Sequence, residues 1–219
     1  MKKIPENGGE TIQNEVKILS NINSDFIVKY YNSFIEKNNL YIIMEYCDNI
    51  DLRNFINVYK KNNKLIPINI ILFILFDICR GLQEIHNKNL VHRDLKPENL
   101  LISKDYKIKI GDFGISKILE SSKTYTKTQK GTIEYMAPEL LKEENFNNKI
   151  DIWPFGCIVY ELFTLNKCFE SETLLGLINK VINENHGKID SKKYCFEFQE
   201  LIDLLLKKIM KKGLILMNY

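Results

Sequence analysis

The sequence predicts an α+β fold, with short strands in the first part of the chain and helices in most of the rest. Two strand-like runs, IVKYY and LYIIM, flank a polar turn at residues 36–39, which is the pattern of a hairpin. Apolar residues recur at helical spacing between residues 51 and 87 and again after residue 150. A second hairpin pattern, LLI and IKI around a polar turn at residues 103–105, interrupts the helical part.

The composition is that of a globular protein, and 219 residues are enough for one or two domains with a buried core. The net charge is only +3 and the lysines are scattered among acidic residues, whereas a nucleic-acid surface shows clustered basic residues. The most apolar run, residues 65–79, is interrupted by Pro67, Asn69 and Asp77 and is too short for a bilayer, which needs about twenty apolar residues. We therefore predict a buried core helix there, and neither a nucleic-acid nor a membrane partner.

The cysteines and the first residues bear on the compartment. Five cysteines occur without a Cys-x-x-Cys pair, an odd number that favours free thiols in a reducing compartment. No apolar segment follows the first residues, so we expect no secretory signal. The sequence thus predicts a cytoplasmic or nuclear protein and leaves its oligomeric state open.

The first helices follow from apolar spacing and from proline. Residues 10–20 carry apolar side chains three and four positions apart, which predicts a helix. Residues 51–61 form the next predicted helix. Pro67 suits the first position of a third helix, which we expect to end near the polar residues 87–89.

Further helices are predicted in the last third of the chain. Pro154 follows Trp153, and because proline is tolerated only in the first turn of a helix, we expect a helix to begin at or just before Trp153. Other helical segments are predicted for residues 158–163, 174–182 and 198–209.

A chemical motif lies in residues 90–114, LVHRDLKPENLLISKDYKIKIGDFG. Asp94 precedes Asn99 by five residues, and Asp112 follows on the far side of the predicted hairpin. The hairpin would bring Asn99 and Asp112 to the same side of a site. Phosphoryl transfer needs a metal held by oxygen ligands and a base beside the acceptor hydroxyl, and this set of residues can supply both.

In residue type, order and spacing, this stretch strongly resembles the catalytic loop H-R-D-x-x-x-x-N and the D-F-G motif of the eukaryotic protein kinase family. The stretches LYIIMEYC and DFGISK are similar to the NIMA-related serine/threonine kinases. The resemblance runs from about Lys2 to about Leu206. It implies a two-lobed kinase-like fold with an incomplete strand-rich small lobe at residues 1–47, a helical large lobe at 48–206 and a divergent tail at 207–219.

The resemblance implies catalytic roles for residues of the loop. Asp94 would be the base for a serine or threonine hydroxyl of a protein substrate, and Lys96 would stabilise the charge on the transferred phosphoryl group. Asn99 and Asp112 would bind Mg²⁺. His92 is expected to pack and to bond the backbone rather than to act as an acid or base.

The resemblance also implies that ATP lies in the cleft between the lobes. Lys2 would grip the phosphates and pair with Glu15, and Met44 would be the gatekeeper. Backbone groups of residues 45–47 would meet the adenine edge, Asp51 would lie near the ribose, and Leu101 would form the floor under the adenine. The full set implied to contact ATP is Lys2, Glu15, Met44, Glu45, Cys47, Asp51, Leu101 and Asp112.

Residues 115–133 are rich in hydroxyls and lie where the resemblance implies an activation loop. An arginine in the position of Arg93 commonly pairs with a phosphate in that loop, and Thr128 is the first candidate to carry it. A solvated loop without such a phosphate is the alternative. Thr132 resembles the residue that favours serine or threonine acceptors over tyrosine, and Asp151 would brace the backbone of the catalytic loop.

The sequence departs from the family pattern towards both ends. No G-x-G-x-x-G motif occurs, so we expect a truncated gene model or a fragment, with an exposed strand edge at Lys2. No arginine follows Leu206 to pair with Glu139, and a buried carboxylate without its cation costs about 3–5 kcal/mol. The alternative to an active kinase is a kinase-like module that acts by binding a partner. The retained catalytic residues favour descent from an active enzyme.

Overall fold

The computed structural model of the chain describes residues 2–5, 20–37, 39–47, 50–112, 133–142 and 148–208. In chain order the elements are β1 (Lys2–Pro5), β2 (Tyr30–Glu36), β3 (Asn39–Met44), α1 (Leu52–Lys61), α2 (Ile68–Asn87), a 3₁₀ turn (Pro97–Asn99), β4 (Leu100–Ile102), β5 (Ile108–Ile110), α3 (Pro138–Leu141), a second 3₁₀ turn (Asn148–Asp151), α4 (Ile152–Thr164), α5 (Leu174–Asn183) and α6 (Phe196–Leu205). The predicted α+β fold is confirmed, with strands early in the chain and helices after them.

The first three strands form one antiparallel sheet in the order β1-β3-β2. The β2–β3 hairpin pairs Glu36 with Asn39 next to its turn, which confirms the predicted hairpin. The sequence placed the first strand of this hairpin too early, because residues 27 and 28 pair elsewhere. Ile27 forms a parallel bridge to Ile110, and the Val28 N–H donates to the Ile110 carbonyl at 2.9 Å.

The second predicted hairpin is β4–β5, with Leu100 opposite Ile110 and Ile102 opposite Ile108. It packs on α2 at Gly81, where an added Cβ would lie 2.7 Å from Ile110 Cδ1 and 3.0 Å from the Phe26 carbonyl oxygen. The close approach therefore requires glycine at this helical position. This contact packs β5, the strand that precedes Asp112, against α2.

Helix α2 is the long helix predicted from the apolar run. Pro67 is its N-cap and not its first residue, a shift of one position of the kind common at helix ends. The face with Ile71, Ile78 and Ile85 is fully buried. The predicted core helix is buried on this side only, because Phe73 on the opposite side is 70% exposed. No described helix is long and apolar enough to cross a membrane.

Helix α4 is the central helix of the second half of the chain. It begins at Ile152 and holds Pro154 in its first turn, as the sequence predicted. Most of its side chains are buried, including that of Glu161, its one charged residue. Helices α5 and α6 match two further predictions, although α6 ends at Leu205, earlier than predicted.

Candidate active site

The backbone of the catalytic loop is held by one buried carboxylate. Asp151, at the start of α4, is fully buried. Its Oδ2 accepts from the His92 N–H at 2.8 Å and its Oδ1 from the Arg93 N–H at 2.9 Å, while His86 Nε2 lies 2.9 Å from Oδ2. The predicted brace from Asp151 to this loop is therefore confirmed.

His92 links the catalytic loop to the end of β5. It is fully buried, and its Nε2 lies 2.9 Å from the Gly111 carbonyl oxygen, which can only accept. The Asp94 N–H donates to Nδ1 at 3.3 Å, so the ring is the neutral tautomer with its proton on Nε2. Burial lowers the pKa of His92 below its ordinary value of 6.5. The prediction that His92 packs and bonds the backbone is confirmed.

The lowered pKa of His92 makes stability depend on pH in a defined direction. In the unfolded chain His92 takes up a proton near its ordinary pKa of 6.5, but in the folded chain it does so only at lower pH. The unfolded state therefore binds more protons as the pH falls below 6.5, and the free energy of unfolding decreases by up to about 1.4 kcal/mol per pH unit. Denaturant unfolding at several pH values would measure this slope.

Two histidine variants isolate this contribution. His92→Asn should flatten the decline in unfolding free energy at mildly acidic pH, even if it lowers stability at neutral pH. His186→Asn changes a histidine outside the catalytic loop and should keep the wild-type slope. If His92→Asn keeps the wild-type dependence of unfolding free energy on pH, His92 is not the cause of that dependence.

Asp94, Lys96 and Asn99 lie in direct contact. Lys96 Nζ is 3.1 Å from Asp94 Oδ2. The Asn99 side chain, which is buried, donates from Nδ2 to the Asp94 carbonyl at 2.7 Å and to Asp94 Oδ2 at 3.2 Å. Both partners of Nδ2 can only accept, so the orientation of the amide is fixed. The side-chain oxygen of Asn99 is then the atom able to bind a cation.

The β4–β5 hairpin brings the backbone that leads to Asp112 next to this group. The Gly111 N–H donates to the Asn99 carbonyl at 2.9 Å, so the exit of β5 lies beside the entry of β4, as predicted. Asp112 is exposed and has a φ of 52°, and Arg93 has a φ of 66°. Left-handed backbone at non-glycine residues is strained and is common at functional sites. An amide oxygen and a carboxylate on adjacent backbone suit Mg²⁺, which prefers oxygen ligands and completes its shell with phosphate and water.

The residues predicted to meet the adenine lie at the end of β3. Met44 is half-buried and pairs with Tyr30. The Glu45 N–H donates to the Lys29 carbonyl at 2.7 Å. Of the two backbone hydrogen-bonding groups of Glu45, the carbonyl is therefore the one that could bind a ligand. The Glu45 carboxylate is held by Lys109 Nζ at 2.7 and 2.8 Å, a contact that the sequence analysis missed. Cys47 is half-buried two residues further on.

Asp51 and Leu101 lie next to each other. They form an isolated antiparallel bridge, and Leu101 is half-buried opposite Lys109. Asp51 caps α1, because its Oδ1 accepts from the Asn54 N–H at 2.8 Å. A carboxylate oxygen can accept more than one hydrogen bond, so this capping role is compatible with a second partner.

Some predicted site residues cannot be compared with the structure. Glu15, Thr128 and Thr132 lie outside the described residues, as does most of the helix predicted at residues 10–20. Lys2 is the first residue of β1 and pairs with Ile42, so only its backbone position is described.

Glu139, at the start of α3, differs from its expected state. It is half-buried rather than buried, and it is not without an interaction. The expectation of a buried carboxylate, on which the predicted penalty depended, is therefore wrong.

An ion cluster beside the catalytic loop was also missed. Arg53 donates from Nε to Glu98 Oε1 at 2.9 Å and from Nη1 to Glu161 Oε1 at 2.5 Å. The Tyr135 hydroxyl donates to Glu161 Oε2 and accepts from Arg53 Nη2. The sequence carries one signal for this cluster, since a single carboxylate in the buried helix α4 requires a cation. It does not identify the cation, which lies 108 positions away along the chain.

The ion cluster fixes the protonation of its members. Burial lowers the pKa of Arg53, but its hydrogen bond to Glu161 and the surrounding negative charge outweigh that effect and raise the pKa above its ordinary value. Burial and the Glu161 charge raise the pKa of Tyr135 well above its ordinary value. Arg53 is therefore cationic and Tyr135 is a neutral donor at all pH values near neutrality.

Comparison with known proteins supports the same interpretation as the geometry of the site. The family described as "Protein kinase domain" matches residues 1–215. Serine/threonine-protein kinase Nek1 of Mus musculus is 37% identical over 194 residues, which cover 89% of this chain and 16% of that protein. Nek11 of Homo sapiens is 35% identical over 204 residues, covering 92% of this chain and 31% of that protein. Nek8 of Danio rerio is 41% identical over 192 residues, covering 87% of this chain and 27% of that protein. The chain thus spans less than a third of each of these relatives.

Proposed function

The chain belongs to the protein kinase family, and from this premise we propose that it transfers the γ-phosphoryl group of ATP to serine or threonine hydroxyls of proteins. The observation that carries the proposal is the contact of Lys96 and Asn99 with one oxygen of Asp94, beside the backbone that leads to Asp112. The similarity to Nek serine/threonine kinases supports the choice of acceptor.

Each residue of this group has a proposed role in the transfer. Asp94 accepts the proton of the acceptor hydroxyl, and Lys96 offsets negative charge on the phosphoryl oxygens. Asn99 and Asp112 would hold Mg²⁺ through oxygen atoms, and a bound Mg²⁺ would neutralise charge on the phosphates of ATP. Asn99 also orients Asp94, since its amide bonds both the carboxylate and the carbonyl of that residue.

The proposed nucleotide site lies between residues 1–47 and residues 48–206. The carbonyl of Glu45 and backbone groups of Cys47 would bind the adenine edge beside Met44. Leu101 would lie beneath the adenine and Asp51 near the ribose. Lys2, paired with Glu15, would bind the phosphates.

Regulation by phosphate in residues 115–133 is part of the proposal. Arg93 Nε is buried and has no hydrogen-bond partner among the described residues, and an unsatisfied buried cationic donor is costly. A phosphate on Thr128 would supply the missing acceptor. Thr132 is the proposed determinant of serine and threonine preference. The free state of all five cysteines suits a reducing compartment, so we propose the cytoplasm or nucleus as the site of action.

Thermal shift with Mg²⁺ and ATP tests the nucleotide site. At a hundred times the dissociation constant, a ligand that binds only the folded state adds about 2.7 kcal/mol of stability, so the midpoint of unfolding should rise by several degrees, roughly 5–10 °C. Asp112→Asn should remove the Mg²⁺-dependent part of this rise. Asp105→Asn, an exposed acid in the β4–β5 turn, is the matched control and should behave as the wild type. A folded wild type without any shift would favour the binding-module alternative.

A further inference from the structure

The ion cluster of Arg53, Glu98, Tyr135 and Glu161 lies beside Asp94, the residue that an acceptor hydroxyl has to reach. Glu98 belongs to the 3₁₀ turn between Lys96 and Asn99. Tyr135 lines a small open pocket together with Asp94. An acceptor hydroxyl that reaches Asp94 therefore brings its neighbouring residues close to this cluster.

The cluster contains two carboxylates and one cation. Glu161 is almost completely buried, with a side chain 3% exposed, and both of its oxygens are bonded within the cluster. Glu98 differs, because its side chain is 41% exposed and it accepts a hydrogen bond from Arg53 Nε at 2.9 Å. The guanidinium of Arg53 thus occupies the space between a buried acid and an acid at the surface.

This inference rests on the proposed function, since it concerns the acceptor side of the same site. We propose that Arg53 fills, from within the chain, an acidic subsite formed by Glu98 and Glu161 that would otherwise take a basic side chain of the acceptor protein. Arg53 is then a specificity-determining residue. With Arg53 in place, acceptors need no basic residue at the matching position, and without it they are selected for one.

The chemistry of the cluster supports this role. A guanidinium presents a planar array of donors that two carboxylates and a phenol oxygen satisfy together, and here Nε, Nη1 and Nη2 all have acceptors. Removal of Arg53 would leave Glu161 as a buried charge without its cation, which is strongly unfavourable. An arginine from an acceptor peptide would recover part of this loss on binding. This recovered stabilisation of Glu161 would account for the higher affinity of the variant for basic peptides.

Peptide binding tests the proposal independently of turnover. The probes are fluorescent peptides with alanine in place of the acceptor serine. Each carries a single arginine at one of the positions within about three residues of that alanine. An extended residue spans about 3.5 Å, so these positions lie within reach of a cluster close to Asp94. Wild type should bind the arginine and alanine versions with similar affinity. Arg53→Gln should bind one arginine peptide about tenfold more tightly than the alanine peptide. Adding Glu98→Gln to Arg53→Gln should reduce that preference.

Two further variants keep the test decisive. Arg80→Gln makes the same change at an exposed arginine of α2 and should behave as the wild type. If Arg53→Gln does not fold, Glu98→Gln in the wild-type background can still overturn the proposal, which predicts that the arginine and alanine peptides keep similar affinities in this variant.

Two results would overturn the proposal. One is a folded Arg53→Gln that gains no preference for arginine at any position. The other is a wild type that already prefers arginine and loses this preference in Glu98→Gln, because the subsite would then be open. Phosphorylation of the matching serine peptides is measured separately. Its absence, together with the expected binding preferences, would contradict the proposed function and not the role of Arg53.

Discussion

Asp94→Asn is expected to lower the rate of phosphoryl transfer by about a hundredfold to ten-thousandfold while leaving the fold intact. Asparagine has nearly the same shape as aspartate but cannot accept the proton of the acceptor hydroxyl. Its side-chain oxygen can still accept from Asn99 Nδ2, which lies 3.2 Å from the present Oδ2. The position of the loop should therefore be preserved. Single-turnover transfer from saturating ATP measures the chemical step.

Two measurements accompany Asp94→Asn. Its thermal shift with Mg²⁺ and ATP should match that of the wild type, because the proposed Mg²⁺ ligands are Asn99 and Asp112. Asp105→Asn should transfer phosphate at the wild-type rate. Full activity in Asp94→Asn would show that another group accepts the proton.

Asp151→Ala is expected to cause a large loss of stability. It removes the acceptor of the buried His92 N–H and the partly buried Arg93 N–H, and it removes the partner of His86. An unsatisfied buried donor costs about 1–3 kcal/mol, so we expect a loss of about 3–5 kcal/mol in the free energy of unfolding. The midpoint of thermal unfolding should fall by roughly 10–15 °C for a chain of this size.

The control for Asp151→Ala is Asp203→Ala, whose side chain is 58% exposed. A surface substitution of this kind should change stability by less than about 1 kcal/mol. Asp151→Ala should also lose transfer activity at temperatures where it remains folded, because the catalytic loop is no longer held. Equal stability of the two variants would contradict the role assigned to Asp151.

The parts of the site predicted correctly are those encoded by spacing along the chain. The β4–β5 hairpin consists of two apolar runs around one polar turn, so its pairing, and the approach of Gly111 to Asn99, follow from the local sequence pattern. The start of α4 followed from Pro154, because proline restricts where a helix can begin. These features depend on neighbours in sequence.

The parts that the sequence analysis missed depend on contacts between distant residues. Ile27 was assigned to the first hairpin because it begins the strand-like run IVKYY, yet it bridges to Ile110 in the second hairpin. The contact of Glu45 with Lys109 joins residues 64 positions apart. Nothing in the sequence around these two charged residues distinguishes them from ordinary surface residues. Only the packing of the strands and helices determines which charged residues contact each other.

Analysis of the amino acids labelled by γ-labelled ATP tests the central claim most directly. The chain is incubated with Mg²⁺, γ-labelled ATP and a protein rich in exposed serine, threonine and tyrosine, beside Asp94→Asn as the inactive reference. We expect label in phosphoserine and phosphothreonine with the wild type and almost none with Asp94→Asn. Label confined to phosphotyrosine would contradict the proposed acceptor. No label from a folded chain that binds Mg²⁺ and ATP would contradict the claim that it is an enzyme.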